Sequence, residues 1–289
     1  MQDRYTTPTE IQNFLSTNGL NAQKKFGQNF LVDQNIVRFI IEKAKPIIFA
    51  EPMEVAEIGI GLGTLTYPIL EMGLPTHLFE IDHAYIQLAN DTYLKGFSNG
   101  RLYPGDALVN LNQISNVPIF VFGNLPYHLT TEIITTISTD FTEWKGGLFM
   151  VQKEFAERLT GEISSLSVFL EAIGKTTLLK HVNKKCFYPA PKIDSSLILL
   201  SPHAKKDRIF KNKNELDVWS RMLRSFFWGK RKQMQVSLRE SPFSQDPIFQ
   251  AAVSRAMEAI GISPKTRPEE LNRKQFLNLG QELLDSLSN

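Results

Sequence analysis

The sequence is poor in the residues that staple chains together. Cys186 is the single cysteine among 289 residues, which excludes an internal disulfide or a multi-cysteine metal centre and fits a reducing cytoplasm. The five histidines are scattered without ligand spacing, so no metal is expected. No apolar run approaches the roughly 18–20 residues that cross a bilayer, and Met1 to Glu10 carries neither a basic nor an apolar leader. A soluble, cytoplasmic monomer without membrane contact is the expectation. A dominant charge is missing too: 32 Lys and Arg face 30 Asp and Glu, net +2. The composition, 42% hydrophobic and 21% charged, is that of a globular chain, long enough for two domains at roughly 150 residues each.

The small net charge conceals an asymmetry. From His203 onward there are 16 basic and 10 acidic residues, net +6, leaving −4 on the remainder. Lys205 to Lys232 holds ten of these cations, among them Lys205, Lys206, Arg221, Arg224, Lys230, Arg231 and Lys232, against Asp207, Glu215 and Asp217. Such a stretch suits a polyanion or a solvated helix face. Trp219, Phe226, Phe227 and Trp228 interleave with it, and their helical spacing assigns most of them to a core.

Alternating patterns organise the first two thirds. Residues 36–48 have helical periodicity stopped by Pro46; Met53 to Ile58 reads as a strand, Thr64 to Met72 as a helix closed by Gly73, Thr76 to Ile81 as a strand and Asp82 to Leu94 as a helix. Further strands are expected at Arg101–Tyr103, Pro118–Phe122, Leu148–Gln152 and Ser195–Ser201, with a helix beginning at Val168. After Pro202 the strand patterns stop and Val218–Trp228 and Phe249–Ile260 are helical. The fold class is therefore α/β, with a mostly parallel doubly wound sheet and a smaller helical domain. The expected boundaries are a mobile arm at 1–20, a catalytic domain at 21–202 and a helical domain at 203–289.

Three features carry chemistry. Gly59, Gly61 and Gly63 follow a strand, where residues without Cβ let backbone amides approach a ligand, though they also suit a tight turn that binds nothing. Thr64 occupies the place where a dinucleotide fingerprint has its third glycine, which disfavours a dehydrogenase. Glu80 lies 21 residues past Gly59 at the end of the next strand, in position to accept hydrogen bonds from a ribose diol. Asp106 suits an adenine amino group or a helix N-cap. Asn124-Leu125-Pro126-Tyr127 follows a hydrophobic strand. The Asn124 side-chain oxygen and the Leu125 carbonyl can grip an exocyclic amine, Pro126 restricts Leu125 to extended conformations, and Tyr127 offers a stacking face. The same residues suit an ordinary turn.

Together these motifs resemble the ribosomal RNA adenine dimethyltransferases, specifically the small-subunit branch that dimethylates two adjacent adenosines near the 3′ end of 16S rRNA. Lys25-Phe26-Gly27-Gln28-Asn29-Phe30-Leu31, Phe187-Tyr188-Pro189-Ala190-Pro191-Lys192-Ile193-Asp194-Ser195, Ile262-Ser263-Pro264 and Arg267-Pro268-Glu269 extend the resemblance over nearly the whole chain. It implies a Rossmann-like domain using S-adenosylmethionine, with Gln28, Asn29 and Leu31 closing over the donor, Gly59 and Gly61 at its methionine end, Glu80 on its ribose, Asp106 on its adenine, and Asn124 between donor and target. Tyr127 and Phe187 would sandwich the flipped base, and the basic C-terminal residues would hold the RNA. The chain departs from the family pattern at Ile60, His128, the Ile163-Ser164-Ser165 loop and Lys230–Met234. The alternatives are a large-subunit dimethyltransferase of the macrolide-resistance type, and a non-catalytic ribosome-assembly factor.

Overall fold

The computed structural model describes residues 7–17, 29–114, 117–126, 129–140, 143–204, 207–229 and 231–288. In chain order the elements are α1 (Pro8–Thr17), β1 (Phe30–Leu31), α2 (Gln34–Ile48), β2 (Glu54–Ile58), α3 (Thr66–Leu70), β3 (Thr76–Glu80), α4 (His83–Asp91), β4 (Gly100–Pro104), α5 (Ala107–Asn110), β5 (Ile119–Asn124), α6 (Thr130–Asp140), β6 (Trp144–Gln152), α7 (Lys153–Gly161) and α8 (Ser165–Ile173). There follow β7 (Gly174–Val182), β8 (Phe187–Tyr188), β9 (Ser195–Pro202), α9 (Lys213–Phe226), α10 (Met234–Glu240), α11 (Pro247–Ala259) and α12 (Arg273–Ser288). Among the described residues no helix is long and apolar enough to cross a membrane.

Seven strands form one sheet in the order β4-β3-β2-β5-β6-β9-β7. The pairs from β4 to β6 are parallel, and β9 runs antiparallel to β6. The central strand β5 (IFVFGN) is buried over its first five residues, the continuous apolar run of a strand covered on both faces. α2 covers one face because Ile36, Val37, Ile40, Ile41, Ala44 and Ile48 recur at helical spacing and bury together. Asp33 starts it by accepting from the amides of Asn35 at 2.8 Å and Ile36 at 3.4 Å. Pro46, expected to stop this helix, lies inside it. A proline in the last turn withdraws only one amide, and Ile48, 1% exposed, is drawn into the core.

Two sequence expectations are corrected. Residues 8–17 are no loose arm: α1 turns Ile11 and Leu15 into a cluster with Phe30, Leu62, Tyr85 and Leu88, because apolar side chains four apart share one face. The chain also divides differently from a cut at residue 202. One compact unit is residues 1–156 with 177–201, and the other is 157–176 with 202–289. α8 belongs to the second unit, packing on α9 and α12. Arg273 fastens the same segment, through Glu171 at 3.3 Å and the Leu159 carbonyl at 2.7 Å.

Candidate active site

The parallel strands end on one edge of the sheet, where open α/β folds bind ligands. A cleft opens there, lined by residues from the ends of β2, β3, β5 and the β4–α5 turn. After β2 the chain passes Gly59, Gly61 and Gly63 at φ 78, 50 and 81°, conformations that a Cβ disfavours. Space is tight at two of them as well. A Cβ on Gly61 would lie 3.2 Å from the Phe30 ring, and one on Gly63 would lie 2.9 Å from Tyr93.

Glu80 organises this turn. Its Oε2 accepts from the Gly61 amide at 3.0 Å, and its Oε1 accepts from the amides of Ile81 and Asp82, both at 2.9 Å. Burial raises its carboxyl pKa, the three amides oppose that, and the nearby Asp82 charge adds to the rise. A carboxylate has about four acceptor positions, so one remains toward the cleft that Glu80 lines. Asp106 caps α5 through the Leu108 amide at 2.9 Å and also lines the cleft, so its two candidate roles coexist. Tyr85 lines it too, its phenol pKa raised by burial and the charges of Asp82 and Glu80.

On the facing wall, Asn124 ends β5. Its side-chain nitrogen donates to the Asn29 carbonyl at 2.9 Å, which assigns the amide orientation and leaves Oδ1 as an acceptor. The Leu125 amide donates to the Met150 carbonyl at 3.2 Å, anchoring the loop to β6. Asn29, Gly59, Gly61, Glu80, Asp106, Asn124, Leu125 and Pro126 thus line one cleft. Leu31 lines an adjoining pocket instead, together with Glu57, Gly59 and Asn124. Gln28, Tyr127, His128, Lys205, Lys206 and Lys230 lie outside the described residues.

Phe187 departs from its expected place. It is 3% exposed, packed among Leu31, Ile36, Phe120 and Met150, and opposite Leu31 in the antiparallel β1–β8 ribbon. Strand pairing turns its ring into the core, so Phe187 supports β1 and presents no stacking face. Arg221 is half-buried and engaged: it pairs with Asp246 at 2.6 Å and lies over the rings of Phe243 and Phe249, which offsets its charge. Arg224 is exposed beside Phe243, Arg231 is exposed, and Lys232 pairs with Glu240.

Two contributors escaped sequence reasoning. Ile81, 50% exposed, offers the cleft an apolar wall; an isoleucine directly after the acidic strand end was the available signal. Glu57, 2% exposed beneath the glycine turn, has no partner for Oε2 among the described residues. Burial, assisted by the charge of Glu80 and opposed by the Thr66 hydroxyl, pushes its carboxyl up to about 8. A carboxylate in the middle of a buried strand could have been found as a break in the apolar pattern.

A parallel sheet with a glycine turn after one strand, an acid after the next, and an Asn-Leu-Pro loop after a third defines a Rossmann-like methyltransferase domain. The family model described as ribosomal RNA adenine dimethylase matches residues 19–284. The chain belongs to that family. Among its relatives, the ribosomal RNA small subunit methyltransferase A of Leuconostoc mesenteroides is 31% identical, covering 96% of this chain and 95% of the relative. The protein of that name from Protochlamydia amoebophila is 32% identical, covering 96% and 97%. Among solved structures, a dimethyladenosine transferase from Plasmodium falciparum has a TM-score of 0.71 at 26% identity, covering 88% of this chain and 97% of that one. The 23S rRNA methyltransferase ErmE has a TM-score of 0.63 at 24% identity, covering 88% and 99%, a likeness of fold.

Proposed function

We propose that the protein is a cytoplasmic, monomeric S-adenosylmethionine-dependent 16S rRNA (adenine-N6,N6)-dimethyltransferase. In this reading it modifies two adjacent adenosines near the 3′ end within the small subunit or its precursor, as a step of ribosome biogenesis. The observation that carries the proposal is the cleft that joins the Glu80-braced glycine turn to the oriented amide of Asn124. The names of the relatives support the choice of small-subunit rRNA.

The residues present suit the cofactor. Gly59 and Gly61 keep clear a cradle that a side chain would fill, Glu80 faces it with acceptor capacity for a ribose, Asp106 stands ready for an adenine amine, and Ile81 supplies an apolar wall. Bound there, S-adenosylmethionine supplies an electrophilic methyl group. The rest falls to the chain. An adenine amine is a poor nucleophile because its lone pair is conjugated with the ring. Asn124 Oδ1 and the Leu125 carbonyl accept its hydrogens and turn the lone pair toward the donor, while Pro126 fixes the loop that carries them. Tyr127 provides the stacking face. Phe30, Leu129 and Ile133 line the cleft and keep water from the transfer path. The methylated amine sheds its proton to solvent without a catalytic base. Holding both reactants at attack distance removes about 7–11 kcal/mol of barrier. The helical unit, with residues 203–289 at its centre, holds the RNA.

The test is incubation with labelled S-adenosylmethionine and, separately, small subunits, large subunits and naked rRNA from cells lacking the enzyme. N6,N6-dimethyladenosine in the small-subunit rRNA, lost by at least a hundredfold in Asn124→Ala, is the expected result. Label in large-subunit RNA would transfer the assignment to the resistance-type enzymes. Tight binding to small subunits without label would leave an assembly factor.

A further inference from the structure

The C-terminal end of α9 presents an aromatic ring that methyl transfer does not use. Of the chain's three tryptophans, Trp144 and Trp219 are 4% and 0% exposed, whereas Trp228 is 53% exposed. The contrast follows from the helix. Leu216, Trp219, Met222, Leu223 and Phe226 form its buried stripe, and Phe227 stacks on Phe276 at 5.6 Å between centroids. Trp228 comes one residue later, beyond the helical stripe. Its amide donates to the Ser225 carbonyl at 3.4 Å, which ties down the backbone and leaves the indole outside the core.

Cations follow this ring along the chain. The chain turns back after Gly229 through Arg231, which at φ 62° is the one non-glycine residue with positive φ among the described residues, a conformation that costs energy. Arg231 is exposed and no described side chain neutralises it. Two backbone hydrogen bonds, Met234 to the Thr266 carbonyl at 2.8 Å and Gln235 to the Pro264 carbonyl at 3.0 Å, hold the Ser263–Arg267 loop against the start of α10, which follows this turn. That loop adds Lys265 and Arg267, both exposed. Of the acids nearby, Glu240 pairs with Lys232 and Glu270 accepts from the Arg267 amide at 2.9 Å, while Glu269 is exposed. The negative end of the α9 dipole also favours cations here. The surface therefore offers one flat apolar face followed in the chain by exposed cations, a combination suited to unpaired nucleotides through stacking and phosphate attraction.

We propose that Trp228 is a stacking platform for an unpaired base of the rRNA, with Arg231, Lys265 and Arg267 holding the flanking phosphates. This rests on the rRNA reading above and adds a contact that contributes affinity independently of salt. A stacked base makes Trp228 a reporter, since the other two indoles are buried.

The experiment titrates full-length protein with a small-subunit rRNA fragment containing single-stranded segments, at several salt concentrations. It uses the wild type, Trp228→Ala, Trp228→Phe, Arg231→Ala and Lys265→Ala. Wild-type tryptophan emission should be quenched as RNA binds, and both Trp228 variants should lose that change. Trp228→Ala should weaken binding about tenfold at every salt concentration, with the salt slope unchanged, and Trp228→Phe should restore most of the affinity. Arg231→Ala and Lys265→Ala should each reduce the slope by about one. Equal affinity in Trp228→Ala, or wild-type emission unmoved by bound RNA, would overturn the inference while leaving the methyltransferase reading intact. A wild-type protein that binds neither rRNA nor the small subunit would overturn both.

Discussion

Glu57 holds a proton at neutral pH, and that proton has a thermodynamic consequence. In the unfolded chain its carboxyl titrates near the ordinary 4.5, whereas burial raises it to about 8 in the fold. Between those values the folded state binds the proton and the unfolded state does not, so stability falls as pH rises from about 4.5 to about 8 and levels off above. Glu80, also raised, contributes in the same direction. Glu57→Gln keeps the shape and removes this titration. The variant should lose much of the decline in melting temperature between pH 5 and 8, and at pH 8.5 it should exceed the wild type by a few kcal/mol on the order set by one pKa unit per ~1.4 kcal/mol. A wild-type pH slope in Glu57→Gln would show that the proton is not held there. At this scale the sequence was legible where chemistry imposes a residue type at a strand end, as with Gly61, Glu80, Asp106 and Asn124. Phe187 and Arg221 read as site residues in the sequence because an aromatic or a guanidinium can serve a ligand or a packed contact equally well. Only tertiary packing decides between these uses, as the rings of Phe243 and Phe249 do for Arg221.

The β1–β8 ribbon and α1 show how short elements position the cleft. Phe30 pairs with Tyr188 and Leu31 with Phe187, and the preceding carbonyl, Asn29, receives the Asn124 amide. α1 buttresses the same strand, placing Ile11 and Leu15 against Phe30 and Tyr85, both of which line the cleft. Leu15→Ala should therefore cost about 2–5 kcal/mol. It should also weaken S-adenosylmethionine binding in calorimetry more than an equally destabilising core change far from Phe30, such as one on α11. Equal affinity at matched stability would reduce α1 to a passive cover. The strands at Met53–Ile58, Thr76–Ile81 and Pro118–Phe122 and the helices at 36–48, Asp82–Leu94 and Phe249–Ile260 are legible because their apolar patterns run for five residues or more, whereas α6, α7, α10 and α12 carry too mixed a pattern to be named from sequence. The two-residue strands β1 and β8 are too short to carry a period, and β7 (GKTTLLKHV) leaves most of its residues half-exposed or exposed, which blurs the alternation. From sequence α1 reads as an arm because only Ile11, Phe14 and Leu15 mark its apolar face, a stripe that gains meaning once Phe30 and Tyr85 pack with it.

For the whole molecule, the division of the chain decides what can be cut. The polypeptide passes between its two compact units at residues 156–157, 176–177 and 201–202, so the helical unit is built from an internal segment as well as the C-terminal stretch. Charge counting and the end of strand patterns located the last of these crossings. They could not find the first two, because α8 (SLSVFLEAI) has the composition of any buried helix and its partners α9 and α12 lie far along the sequence. A chain ending at residue 202 keeps α8 but loses those partners, and it also frees Glu171 and the Leu159 carbonyl from Arg273. Val168, Leu170, Ala172 and Ile173, each at most 3% exposed in the full chain, sit on a helix that would lose this cover, and exposed apolar patches of this kind drive association. The truncated chain should bind a hydrophobic dye, elute as aggregate in size exclusion and melt without cooperativity. A chain with residues 157–176 replaced by a short Gly-Ser linker and ended at 202 removes that liability along with the helical unit, and it should recover solubility in the same assays. If the simple truncation instead yielded a soluble monomer with a sharp melting transition, α8 would have to be self-sufficient, and the helical unit would be an appendage rather than a body threaded through by the catalytic chain.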